Sequence, residues 1–101
     1  MSVAFDLSLA PVEAPLPTVC FAVSAHAEPS VMARVLEPFC KRGLLPRSWH
    51  ATVEGSGAGA LTIDIQVSLE RELAALIAAT LRQVVGVESV LTSEKRYAPA
   101  A

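Results

Sequence analysis

His26 and His50 are the two imidazoles of the chain, and Cys20 and Cys40 are its two thiols. An imidazole works as a general acid or base only within reach of a nucleophile or of a proton that must move. The two histidines fall on different predicted elements, and neither has a nucleophile at a telling spacing. Both read as surface or half-buried side chains. The cysteines are too far apart for a CxxC or zinc pattern, and they read as reduced, mostly buried thiols packing as small hydrophobes. Glu70 and Glu72, near a predicted helix start, serve the helix dipole rather than form a working carboxylate pair. Arg34, one turn into another helix, reads as a solvated side chain, although an anionic ligand or a partner's carboxylate would find it there. The run "GSGAG" (55–59) has the composition of a phosphate loop. A phosphate cradle, however, feeds a helix N-terminus, whereas this run feeds a strand and reads as a hairpin turn. No catalytic set, metal-ligand set or cofactor site emerges from these residues.

The elements that carry them alternate in period. From Thr18 to Ala25, Val19, Phe21, Val23 and Ala25 share one face, and Cys20, Ala22 and Ser24 the other. This alternation predicts a strand, central because both faces are rather apolar. Val31, Val35 and Phe39, with Met32 and Leu36 beside them, form a helical stripe. Ser30 stands where an N-cap belongs and Gly43 where a helix stops. Pro38, inside this stretch, should kink or shorten the last turn. Residues 47–54 alternate again. Leu61, Ile63, Ile65 and Val67 alternate against Thr62, Asp64 and Gln66 as a strand with one buried and one wet face. Ser68 is placed to cap a second helix with the stripe Leu69, Leu73, Leu76, Ile77, Leu81 and Val84, ended by Gly86. Residues 87–92 supply a last strand.

The order β-α-β-β-α-β predicts a ferredoxin-like α+β sandwich, with a four-stranded antiparallel sheet and two helices on one face. Residues 1–17, with Pro11, Pro15 and Pro17 and no sustained period, read as a flexible N-terminal arm. Residues 18–92 form the domain, and residues 93–101 read as a flexible tail. Other ferredoxin-like chemistries lack their parts. A copper carrier needs CxxC in the first loop, and an acylphosphatase needs a glycine-rich, arginine-bearing one, whereas this loop reads "HAEPSV".

The composition bounds the partners. The chain has 101 residues, 52% of them hydrophobic and 18% charged, with a net charge of −2, and its mean hydropathy is +0.48. A domain of this size hides only about 60–65% of its unfolded surface, so excess apolar residues reach the surface and mark an interface. A homodimer or a partner subunit is expected. Nucleic acid is not, because no Lys/Arg cluster is present to meet phosphates. No apolar run is long enough to span a membrane, and no basic residues open a secretory signal, so a cytoplasmic protein is expected.

Residues 23–53, "VSAHAEPSVMARVLEPFCKRGLLPRSWHATV", resemble the first half of an ACT domain, and more narrowly the small regulatory subunit of acetohydroxyacid synthase. The likeness rests on "EPSVMARV" (28–35), "KRG" (41–43), Ser48 entering the second strand, and "LRQVVGVESV" (81–90). It covers about three quarters of the chain. The resemblance implies a protein that is not an enzyme but binds and activates a thiamine-diphosphate-dependent catalytic subunit. It also implies an effector site, usually for valine, made by the loop after the first strand and by the start of the second. Here those positions are Ala27, Glu28, Pro29, Ser30, Val31 and Leu45. Where effector-binding relatives carry Asn-Glu-x-Gly and Gly-x-Asn-Ile, this chain has Ala27-Glu28-Pro29-Ser30 and Gly43-Leu44-Leu45-Pro46. Both asparagines and the loop glycine are replaced, which aligns the chain with short, valine-insensitive members and leaves at most a weak small amino-acid ligand. The rival readings are a freestanding ACT-type amino-acid sensor and a plain dimerisation module.

Overall fold

The computed structural model describes residues 16–55 and 59–95. The expected arm up to residue 15 and the tail from residue 96 lie outside the described residues. Six elements follow one another: β1 (Thr18–His26), α1 (Pro29–Lys41), β2 (Ser48–Glu54), β3 (Ala60–Ser68), α2 (Arg71–Arg82) and β4 (Val87–Lys95). The strands pair antiparallel in the order β2-β3-β1-β4. This is the ferredoxin-like arrangement, with β1 central as its two apolar faces require.

Strand pleating sorts the side chains. Val19, Phe21, Val23 and Ala25 of β1 and Leu61, Ile63, Ile65 and Val67 of β3 point to the helices and are buried. Val31, Val35 and Phe39 of α1 meet them, as the helical period requires, and Phe39 sets its ring edge-on to Phe21 at 5.3 Å. On α2 the buried positions are Ala74, Ile77, Ala78 and Leu81. Of the stripe read in the sequence, Leu69, Ile77 and Leu81 are buried and Leu73 is partly buried, whereas Leu76 is 57% exposed and the alanines Ala74 and Ala78 take buried places beside them. Two alanines let the helix sit close to the sheet, and alanine contributes little to a hydrophobic period.

Both helix starts correct the expected caps. Ser30 lies inside α1, and the cap is Glu28, extended at φ −129° and ψ 137° with no side-chain cap bond. Pro29 is the cause. It suits the first helical position and drives the residue before it into extended backbone. Ser68 ends β3, and Glu70 takes the cap position of α2. The stop at Gly43 holds: at φ 69°, its N–H donates to the Cys40 carbonyl at 3.0 Å, and the Leu44 N–H to the Phe39 carbonyl at 2.9 Å. That pair of bonds is a Schellman closure. α2 already ends at Arg82, and Gly86 shapes the turn into β4 instead. β4 runs to Lys95, three residues past its expected end at Thr92, because its last residues pair with Thr18 to Cys20. Pro38 is buried, and α1 continues through it to Lys41.

Candidate functional site

The loop at the C-terminal end of β1 carries most of the candidate effector residues. Ala27 packs partly buried against the core, while Glu28, Pro29 and Ser30 are exposed. Val31 is buried, so its side chain belongs to the core rather than to a ligand. The backbone offers few donors. Pro29 has no N–H. The Glu28 N–H donates to the His26 carbonyl at 2.9 Å and the Val31 N–H to the Glu28 carbonyl at 3.1 Å. Among the described residues, the amides of Ala27 and Ser30 have no backbone acceptor. The side chains beside them are acidic: Glu28 is exposed, and Glu88 on β4 lies 3.6 Å from the His26 imidazole. Two amides beside two carboxylates form a poor cradle for an amino acid's carboxylate.

Gly86 fixes where this loop stands. Its carbonyl accepts the His26 N–H at 2.9 Å, and its φ is 101°. A β-carbon on Gly86 would come within 2.7 Å of Val31 Cγ2, in the first turn of α1. The turn into β4 and the candidate loop therefore share one close contact that only glycine allows. Sequence reading took Gly86 for a helix stop; its positive φ gives no sign in the sequence of what it touches.

Leu45 does not join this loop. It follows the C-terminal end of α1, whose 13 residues separate it from Pro29 by about 20 Å. Its side chain is 87% exposed. One copy of the chain cannot bring Leu45 to Ala27.

Between these two ends runs an apolar strip. On β2, Trp49, Ala51 and Val53 point to the helix side, opposite Ile65, Ile63 and Leu61. β2 is an edge strand, and Val53 stays 64% exposed and Ala51 exposed. Met32, Leu36 and Cys40 follow one another at helical spacing on α1, exposed or half-buried. β2 has no lysine, proline or bulge along its free edge and a single carboxylate, Glu54, at its end, whereas β4, the other edge, carries Glu88, Glu94 and Lys95. Arg71 on α2 pairs with that Glu94, through a bond from Nε and a second from Nη2 at 3.1 Å. The carboxylate raises the pKa of the exposed guanidinium, which is charged at any ordinary pH.

The remaining residues with chemistry to offer stay apart. Cys20 is half-buried on the sheet face away from the helices, and Cys40 is exposed, which corrects the expectation of two mostly buried thiols. His50 lies on that same open face, cross-strand from Asp64, and Glu70 caps α2 with Glu72 in its first turn. Among the described residues no three His, Cys, Asp or Glu side chains gather as a metal site, and no helix is long and apolar enough to cross a membrane.

No protein-family model matches the chain, and no curated protein is similar to it in sequence. Solved structures are similar in fold. The ACT domain of GTP pyrophosphokinase from Chlorobium tepidum superposes with a TM-score of 0.63 at 13% identity, over 75% of this chain and 96% of that one. The regulatory subunit of aspartate kinase from Thermus thermophilus gives 0.59 at 17% identity, over 77% of this chain and 51% of that one. The C-terminal domain of the MgtC protein from Mycobacterium tuberculosis gives 0.65 at 16% identity, over 90% and 100%. With its helix pair, strand order and loop positions in place, the chain has the ferredoxin-like fold of ACT domains.

Proposed function

We propose that this chain is a non-catalytic regulatory subunit that works by protein contact, and specifically a small subunit of acetohydroxyacid synthase in branched-chain amino acid synthesis. The ACT-type fold supports the regulatory reading, and the resemblance of residues 23–53 and 81–90 supports the specific one. It would act in the cytoplasm on a thiamine-diphosphate-dependent catalytic subunit.

The observation that carries the contact mechanism is the unguarded β2 edge with its exposed apolar strip. Two copies pairing antiparallel through β2, about a two-fold near Ala51, would continue the sheet and cover Ala51 and Val53. In that register Glu54 of one copy lies beside Arg47 of the other, with opposite charges. The Leu45 of one copy is carried toward the Ala27 loop of the other, which a single chain cannot achieve. The loop's acidic surroundings and missing donors fit a subunit whose effector binding has faded.

Co-expression with an acetohydroxyacid synthase catalytic subunit from the same cell decides the specific reading. Co-purification with a rise in synthase activity is the expected result. If the two separate cleanly and activity is unchanged, the chain is instead a freestanding ACT-type sensor or a dimerisation module.

A further inference from the structure

The two edges of the sheet are defended differently. β4 has charges near its ends, Glu88 at one and Glu94 and Lys95 at the other, and a bulge opposite Ser24 and Ala25 disturbs its start. Between them Ser89, Val90, Leu91, Thr92 and Ser93 carry no charge and include two β-branched residues, so by composition this run is fit to pair. Its backbone also faces outward. His26 on β1 donates its N–H to the Gly86 carbonyl, so the even-numbered residues of β1 turn their backbone groups toward β4 and the odd-numbered ones toward β3. Val90 stands opposite Val23 and Thr92 opposite Phe21, both odd-numbered. In an antiparallel ladder the two members of such a pair turn their backbone groups away from each other. The N–H and carbonyl of Val90 and of Thr92 therefore lie on the free edge of β4.

One side chain reaches that edge at its middle. Arg82 ends α2, where a cation suits the helix dipole. Its side chain nevertheless leaves the helix end, and Nη2 donates to the Val90 carbonyl at 2.8 Å. An incoming strand needs that carbonyl and the space in front of it, because neighbouring strands stand only about 4.8 Å apart. The guanidinium occupies both. With Arg82 gone, two copies of β4 could pair antiparallel about Val90. Ser89 of one copy would then lie opposite Leu91 of the other, and Glu88 opposite Thr92, so that no like charges are opposed. The difference matters for assembly. A chain with one usable edge stops at a closed pair, whereas a chain with two adds copies without limit.

We propose that Arg82 guards the β4 edge and so confines edge-to-edge association of this chain to β2. The test uses the full-length chain carrying Ala51→Lys and Val53→Lys, which removes β2 from pairing and keeps the result separate from that of the β2 contact. Adding Arg82→Ala is expected to double the mass seen by sedimentation at micromolar concentration. It is also expected to slow exchange of the Thr92 amide hydrogen by roughly tenfold or more, as the new ladder covers it. Arg82→Gln, uncharged and shorter than arginine, is expected to do the same and serves if the alanine variant does not fold. In the chain without the lysines, Arg82→Ala is expected to give species that grow with concentration beyond a pair. Growth that stops at a pair there supports the guard and counts against pairing through β2. A folded Arg82 variant that keeps the mass of its lysine parent overturns the proposal. A Thr92 amide already protected in that parent overturns it too, since the β4 edge would then be paired with Arg82 in place.

Discussion

Gly86 concentrates three constraints in one residue. Its φ of 101° suits no side chain, its carbonyl anchors His26, and Val31 stands where its β-carbon would go. For an L-residue, left-handed backbone costs about 1–2 kcal/mol, and here the neighbour is a buried β-branched side chain with little room to yield. Gly86→Ala is expected to cost about 2 kcal/mol or more and to lower the melting temperature of so small a domain by roughly 8 °C or more. Urea unfolding gives the free energy directly; a change of a few tenths of a kcal/mol would show that the turn relaxes freely. Single residues were also where the sequence was hardest to read. Phe39 announced its burial through its spacing with Val31 and Val35. Ser30 and Ser68 have the side chains of caps but not the positions. Pro29 claims the first helical place in one case, and strand pairing with Thr18 holds Ser68 in β3 in the other.

At the scale of elements the reading was easier. Strands with β-branched and aromatic residues on one face must bury that face, and a one-residue slip would expose it, so alternation identifies both strand and register. In α2 the stripe of Ile77 and Leu81 was legible, but Leu76 was read into it although it is exposed, and the buried alanines Ala74 and Ala78 weigh too little in a hydrophobic period to be noticed. The candidate loop was legible as a place, but its geometry was not, because the contact with Gly86 joins residues far apart in sequence. Edge strand β2 is the element from which association is argued. The unmodified chain is expected to be a dimer at micromolar concentration. Ala51→Lys with Val53→Lys would set charges on the strip that pairing must cover, and is expected to give a monomer of nearly unchanged stability, since both positions are already exposed. Sedimentation of the two proteins checks this. If the lysine variant remains a dimer, association does not run through β2.

For the whole molecule, the question is whether an amino acid is still felt. The loop keeps the amides of Ala27 and Ser30, which have no backbone acceptor among the described residues, lacks an N–H at Pro29, carries Glu28, and follows His26, which faces Glu88. Valine, leucine and isoleucine are therefore expected to bind no tighter than millimolar. Ala27→Asn, Ser30→Gly and Leu45→Asn together restore an amide from one copy, a close backbone approach, and an amide from the other copy. Some affinity should return in the dimer, and none if the chain is monomeric, because Leu45 is about 20 Å from the loop within one copy. Calorimetric titration settles both points, and micromolar valine binding by the unmodified chain would refute the reading.

The central place of β1 has a consequence for how the protein is made. β1 is the first strand of the fold, yet it pairs with β3 on one side and with β4, the last strand, on the other. Thr18 meets Lys95 only when all six elements of the fold have been made. On the ribosome, Val19, Phe21 and Val23 must wait with one edge unpaired until β4 emerges, several seconds later at ordinary rates of synthesis. The cooperative fold forms only once β4 is available, and its speed is limited by closing this longest loop rather than by either helix. A chain stalled before Val87 would present β1 as an open hydrophobic edge, the form in which this protein is most exposed to aggregation and most in need of a chaperone.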